Sequence, residues 1–144
     1  MECKISQEID EIKKIFKNKL AEHLKQFNLT PSQNALIVFV HKENSLGKEV
    51  TQKDIENEFL IKASSVNSLI QNLEKKNFII RKICENDKRK KYLKLTEKSE
   101  KFMEDSARAV KNVEKTLING ISNEELEYLN LILNKMKNNL LSLK

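Results

Sequence analysis

The sequence predicts a mainly α-helical fold with one small β-hairpin. The 144 residues include only two glycines and one proline, which leaves few places for tight turns. Apolar residues recur at spacings of three and four along several segments, as is typical of amphipathic helices. The runs FIIRKI (residues 78–83) and KKYLKL (residues 90–95) flank a polar turn, which indicates a pair of antiparallel strands.

Two helices are predicted before residue 50. The first carries a long apolar stripe made of Ile5, Ile9, Ile12, Phe16, Leu20, Leu24 and Phe27. The second begins at TPSQ (residues 30–33), a capping box with proline at the first helical position. We expect it to end near His41, with Ala35, Leu36, Val38 and Phe39 facing inward. Residues 42–50 contain Gly47 and are predicted to form a loop that ends in a short strand.

A helix-turn-helix follows. Thr51 and Asp54 form the next capping box, which opens a short helix over TQKDIENEF. After a turn at residues 59–62, Val66, Leu69, Ile70 and Leu73 mark the buried face of another helix, and Asn77 is suited to the left-handed backbone that ends it.

The opposite face of that second helix is rich in short hydrogen-bonding side chains that are poor helix formers. Solvated helix faces more usually carry Glu, Lys and Arg, whereas Ser, Asn and Gln are suited to close approach to base edges and phosphates. We therefore predict a recognition helix for DNA, with contacts from Ser64, Ser65, Asn67, Ser68, Gln71 and Asn72.

The hairpin carries the excess positive charge of the chain. Nine Lys and Arg residues and two acidic residues lie between Lys75 and Lys94, while the whole chain has a net charge of +6. A charge run is often only a solvated surface. Here it directly follows a helix-turn-helix, and the order helix, turn, helix, basic hairpin predicts a winged helix in which Leu93 and Leu95 face the core while Tyr92 and Lys94 face away.

Over nearly its whole length the sequence resembles the MarR family of bacterial transcriptional regulators. The stretches that carry the resemblance are LTPSQ (29–33), VTQKDIENEF (50–59), SSVNSLIQNLEKKNFI (64–79) and DKRKKYLKLTEKS (87–99). The last contains the family's wing signature, an aspartate followed two residues later by an arginine. The resemblance implies that Arg89 enters the DNA minor groove, that Asp87 orients it, and that Lys88, Lys90 and Lys91 contact phosphates.

The sequence departs from the family pattern at three positions. The predicted recognition helix has no arginine between Ala63 and Leu73, so adenine pairing by Asn67, Gln71 or Asn72 is expected rather than bidentate guanine contact. Asn77 and Ser99 stand where relatives usually have glycine, and the second change makes the start of the following helix harder to place.

The terminal helices are too apolar for a small winged-helix core, and the resemblance implies a two-fold homodimer. The alternative is that these helices only close their own core. We predict a winged-helix lobe at residues 30–97 and a dimerisation region at residues 1–28 and 98–144. The predicted dimer contacts are Ile5, Ile9, Ile12, Phe16, Leu129, Leu133, Met136 and Leu140.

The expected partners are double-stranded DNA and a second copy of the chain. The resemblance adds a small aromatic or lipophilic effector that releases a repressor from a pseudo-palindromic, A/T-rich operator. We expect no cofactor, and neither Cys3 nor Cys84, nor His23 with His41, lies in a motif that favours a redox or metal site.

Two other classes of function fit the sequence less well. An architectural or RNA-binding winged helix would bind nucleic acid nearly independently of sequence. An enzyme is disfavoured, since the sequence shows no catalytic grouping and no glycine-rich phosphate loop. The absence of a long apolar segment or a signal peptide predicts a cytoplasmic protein without a membrane span.

Overall fold

The structure is a computed structural model that describes residues 4–144. Six helices and three strands follow one another along this part of the chain: α1 Ile5–Gln26, α2 Pro31–Ser45, β1 Val50–Thr51, α3 Gln52–Phe59, α4 Ala63–Lys75, β2 Ile79–Ile83, β3 Lys91–Leu95, α5 Glu97–Leu117 and α6 Asn123–Leu141. Two compact units are distinguished, Met1–Lys111 and Asn112–Lys144. The predicted fold class is therefore confirmed, and the short strand expected at the end of the loop before α3 is present as β1.

Capping boxes fix the starts of three helices. At α2, the Thr30 hydroxyl accepts the Gln33 N–H at 3.2 Å, and the Gln33 side chain accepts the Thr30 N–H at 3.0 Å. Thr51 with Asp54 repeats the arrangement at α3, and Ser122 with Glu125 repeats it at α6. The Ser122 N–H donates to the Glu125 carboxylate at 2.8 Å, which lowers the pKa of that carboxyl.

Helix α2 differs from the prediction in two respects. It continues through residues 42–45, which were expected in a loop, because no glycine or proline interrupts it before Gly47, whose φ is +74°. Its buried face consists of Gln33, Leu36, Ile37 and Val40. Val38 was predicted to face inward but is 42% exposed, since it lies about 150° around the helix from the centre of this buried face.

The helix-turn-helix is formed by α3 and α4. Leu60, with φ of +52°, ends α3, and α4 then buries Val66, Ile70 and Leu73 as the spacing predicted. Asn77 takes the predicted left-handed backbone, with φ of +61°. An asparagine adopts this conformation at modest cost, so the absence of the usual glycine does not disturb the turn.

The sheet has the strand order β1, β3, β2, and both pairings are antiparallel. Val50 is opposite Leu93, while Ile79 is opposite Leu95 and Ile83 is opposite Lys91. Leu93 and Leu95 are buried, Tyr92 is half-buried and Lys94 is exposed, which confirms the predicted alternation. The central position of β3 attaches the basic loop to the core from both sides of the strand.

One hydrophobic core joins α2, α3, α4 and the sheet to the first part of α5. The rings of Phe78 and Phe102 meet edge to face with centroids 5.8 Å apart. Ser99 is fully buried and donates a hydrogen bond to the Phe78 carbonyl, and its N–H reaches the Thr96 hydroxyl at 3.4 Å. These contacts place the start of α5 at Glu97 without the glycine that relatives usually have.

The outer helices are less buried. Along α1 and α6 no described residue is fully buried within the chain. No helix between residues 4 and 144 combines the length and the apolar character that crossing a membrane requires.

Candidate nucleic-acid interface

The recognition face is the polar side of α4, formed by Ser64, Ser65, Asn67, Ser68, Gln71 and Asn72. Burial of Val66, Ile70 and Leu73 in the core turns these polar residues outward. All of them are exposed except Asn67, which is half-buried. In the described part of the chain, the side chains of Gln71 and Asn72 form no hydrogen bond with other protein groups, so their amides are available to a ligand.

The wing loop comprises residues 84–90 between β2 and β3. The Cys84 N–H donates to the Lys90 carbonyl at 2.9 Å, and the Lys90 N–H donates to the Asp87 carbonyl at 3.0 Å. The Asp87 carboxylate accepts the backbone N–H of Arg89 at 3.0 Å. Asp87 therefore shapes the loop through the backbone of Arg89.

The wing cations are Lys88, Arg89, Lys90 and Lys91, and all four are exposed. Within residues 4–144 none of them lies in a salt bridge. Their charge is therefore not neutralised by the described part of the chain and is available to an anionic partner.

The wing and the helix-turn-helix share one cleft. Its volume is about 580 Å³, and it is lined by the start of α3, by Ile70 of α4, by Arg81 and Leu93 of the sheet, and by three wing cations, Arg89, Lys90 and Lys91. The start of α3 adds the cation Lys53 and the carboxylate of Asp54, which caps the helix N-terminus. Five cationic side chains and one carboxylate line the cleft, which is therefore electropositive and lies where the wing meets α3 and α4.

Arg81 belongs to this region but was not predicted as a site residue. Its Nη2 donates to Asn67 Oδ1 at 3.1 Å, and its Nε lies 3.2 Å from Glu74 Oε1 without the alignment of a hydrogen bond. The sequence does indicate that Arg81 is not an ordinary surface cation. Arg81 lies two residues after the buried Ile79 on the same strand, and so on the inward side of the sheet, where a cation needs a partner.

Cys84 is buried at the base of the wing. Its Sγ lies 3.8 Å from Glu49 Oε2. Burial, together with the neighbouring Glu49 carboxylate, raises the pKa of the Cys84 thiol. A thiol held in its protonated form is a poor nucleophile, which agrees with the interpretation of Cys84 as a small core residue. Cys3 lies outside the described residues.

The two histidines lie apart from each other. His23 contacts the Ser106 hydroxyl at 3.3 Å, and His41 lies 3.7 Å from the Glu100 carboxylate. Across residues 4–144, no three His, Cys, Asp or Glu side chains come together in a group that would hold a metal ion.

A smaller apolar cleft of about 310 Å³ lies within the helix-turn-helix lobe. Its walls come from the start of α2, the end of α3, the turn after α3 and one residue of α4, namely Pro31, Ser32, Ala35, Leu36, Phe59, Ile61 and Leu69. It is separate from the cleft beside the wing, and its lining is suited to an apolar group.

Comparison with known proteins shows similarity to one family of transcription regulators. The model of the MarR family matches residues 27–90. The DNA complex of MepR from Staphylococcus aureus is 29% identical, with a TM-score of 0.80 over 94% of this chain and 98% of that one. MepR, described as a transcription regulator of the multidrug efflux pump MepA, is 28% identical, with a TM-score of 0.85 over 94% and 97% of the two chains. MepR bound to ethidium bromide is 29% identical, with a TM-score of 0.72 over 94% and 95%. Residues 27–90 of this chain thus match the MarR family, and nearly the whole chain is similar in fold and sequence to MepR, a winged helix-turn-helix transcription regulator.

Proposed function

We propose that this protein binds a pseudo-palindromic, A/T-rich operator as a homodimer and represses transcription until a small molecule releases it. The observation that carries the proposal is the closeness of α4 to the basic wing: Ile70 of α4 lines one cleft with the wing cations Arg89, Lys90 and Lys91, and the polar side of α4 is exposed. A recognition helix and a basic hairpin in this relation are suited to the major groove and the adjacent minor groove of one duplex.

The recognition face supplies the base contacts in this proposal. Ser64, Ser65 and Ser68 are short enough to let α4 approach the duplex closely, while Gln71 and Asn72 carry amides that match the adenine edge. The helix has no arginine, so it lacks the side chain best suited to bidentate guanine contact.

The wing supplies affinity and a preference for shape. Arg89 is exposed at the loop, and a guanidinium is favoured in the narrow, electronegative minor groove of A·T-rich DNA. Lys88, Lys90 and Lys91 would neutralise phosphates, a contribution that does not depend on sequence and weakens with salt.

The homodimer follows from the surfaces of the terminal helices. Ile5, Ile9 and Ile12 of α1 are between 41% and 49% exposed, and Leu140 of α6 is 68% exposed. Apolar side chains repeated at helical spacing and left this open are typical of an association surface. We therefore assign dimerisation to residues 1–28 and 98–144 and DNA binding to residues 30–97. The dimer contacts are Ile5, Ile9, Ile12, Phe16, Leu129, Leu133, Met136 and Leu140.

The effector is proposed by class. MepR has been solved with ethidium bromide, a flat aromatic cation, and a related regulator is expected to respond to an aromatic or lipophilic molecule. An effector that binds the released state better than the DNA-bound state shifts the population towards release. A regulator of this kind acts on DNA in the cytoplasm. Its role needs no catalytic activity.

Selection of bound sequences from random double-stranded DNA, repeated at two salt concentrations, tests the proposal. We expect an enriched inverted repeat whose half-site centres lie about 10 base pairs apart or a multiple of that distance. Replacing Lys90 by alanine should weaken binding to the selected operator and to random DNA alike and make the salt dependence shallower. Affinity that is nearly independent of sequence would instead indicate an architectural DNA-binding protein.

A further inference from the structure

We propose that Arg81 is a positioning residue that fixes which atoms of the Asn67 side chain face DNA, and thereby sets the base that Asn67 prefers. The inference rests on the proposed function, because it concerns the same recognition face. It adds a residue outside that face as a determinant of specificity.

The contact defines the orientation of the Asn67 amide. Arg81 Nη2 lies 3.1 Å from Asn67 Oδ1. A guanidinium carries only donors, so the amide atom that faces it has to be the oxygen. The assignment of oxygen and nitrogen in this side chain is therefore determined by its partner.

Arg81 is itself held in place. Its side chain is only 26% exposed, and its Nε lies 3.2 Å from the Glu74 carboxylate. Glu74 lies on α4, as Asn67 does, so the guanidinium bridges two positions of the recognition helix from β2. Because its side chain is largely covered and its guanidinium contacts both Glu74 and Asn67, Arg81 has little freedom to release Asn67.

The engaged oxygen changes what Asn67 offers to a base. Asparagine recognises adenine by accepting from N6 with its oxygen and donating to N7 with its nitrogen. With Oδ1 directed towards Arg81, the Nδ2 hydrogens are the part of the amide left for DNA. An amide that offers DNA only its N–H groups favours guanine, whose N7 and O6 both accept, over adenine, whose N6 donates. We therefore assign Asn67 to guanine, and leave Gln71 and Asn72 as the residues for adenine.

The test compares base preferences of four proteins: the wild type, Arg81→Met, Asn67→Ala and the double variant. In sequences selected from random DNA, we expect Arg81→Met to shift one position of each half-site from guanine towards adenine by about tenfold. Asn67→Ala should abolish the preference at that same position. Adding Arg81→Met to Asn67→Ala should then change no base preference, since the amide that Arg81 orients is absent.

Two further variants separate positioning from charge and from folding. Lys82→Met removes a positive charge from the neighbouring exposed position of β2 and should leave every base preference unchanged. If thermal unfolding shows that Arg81→Met is not folded, Arg81→Met combined with Glu74→Gln avoids a half-buried carboxylate without a partner and carries the same comparison.

The outcomes distinguish this inference from the proposed function. If the wild type enriches no sequence, the proposed function fails. If the wild type enriches an operator but the folded Arg81 variant selects the same bases at every position, the role assigned to Arg81 is wrong and the operator-binding proposal still stands.

Discussion

Replacement of Ile12 by serine is the most direct test of the dimer. Ile12 lies on α1 with 49% of its surface exposed. Complete burial of an isoleucine side chain contributes about 1.5–3 kcal/mol, so covering the exposed half contributes about 1 kcal/mol. A two-fold interface contains the residue twice, and the dimer should lose about 2 kcal/mol, which corresponds to an increase of about 30-fold in its dissociation constant.

Sedimentation equilibrium over a range of protein concentrations measures that constant. Lys14→Ser is a matched control, because Lys14 is exposed and lies on the side of α1 away from the isoleucine stripe. It should leave the dissociation constant unchanged, and circular dichroism should show that both variants keep their helix content. An Ile12→Ser protein that dimerises as tightly as the Lys14→Ser protein would refute the assignment of this stripe to the interface.

Three further predictions concern DNA binding, stability and thiol chemistry. Arg89→Ala should weaken operator binding by about 1–3 kcal/mol in a gel-shift titration. Arg108→Ala removes the same charge from an exposed position of α5 and should leave operator affinity unchanged. Equal affinities of these two variants would show that the wing does not enter the groove. Thr30→Ala removes the cap of α2 and should lower the free energy of unfolding in urea by about 1 kcal/mol, and an unchanged midpoint would contradict a stabilising role of the cap. In a Cys3→Ser background, Cys84 should react with iodoacetamide much more slowly in the folded protein than in urea at pH 8.5, and equal alkylation rates would contradict its burial. Because the pKa of the Cys84 thiol is raised in the folded protein, the stability linked to the protonated thiol is present at neutral pH and is lost as the pH rises through that pKa.

The features that the sequence predicted well are those fixed by neighbouring residues. A capping box needs only two side chains three positions apart, and the predicted boxes that begin at Thr30 and Thr51 are both present. The buried stripe of α4 was equally local, since one helix turn places Val66 and Ile70 side by side.

The errors in α2 have a different origin. Its apolar residues are contiguous from Ala35 to Val40, so the spacing alone does not say which of them face the core. The choice was made by packing against the sheet and the neighbouring helices, which buried Ile37 and Val40 and left Val38 open. Its length depended on where glycine allowed a left-handed residue, and that point is Gly47.

The contact between Arg81 and Asn67 was not predictable from spacing. Fourteen residues and a chain reversal at Asn77 separate them, and only the packing of β2 beside α4 brings them together. The sequence showed Arg81 as one of nine cations in a basic segment, whereas the structure pairs it with Glu74 and an amide. Charge counting overstates the free cations of this segment for that reason.

The recognition face and the wing of the proposed interface are held in place by different interactions, and the two parts should therefore contribute differently to specificity and affinity. The helix that carries the recognition face is fixed by burial of its opposite side, and Arg81 orients the Asn67 amide, so this part of the interface is preorganised, as discrimination between bases requires. The wing is joined to the core through Leu93 and Leu95, but its loop is held mainly by local hydrogen bonds to Asp87 and Lys90. A loop held in this way can adjust to the width of the minor groove while its cations stay near the backbone. Specificity should therefore be most sensitive to changes behind α4, and affinity most sensitive to the charges of the wing.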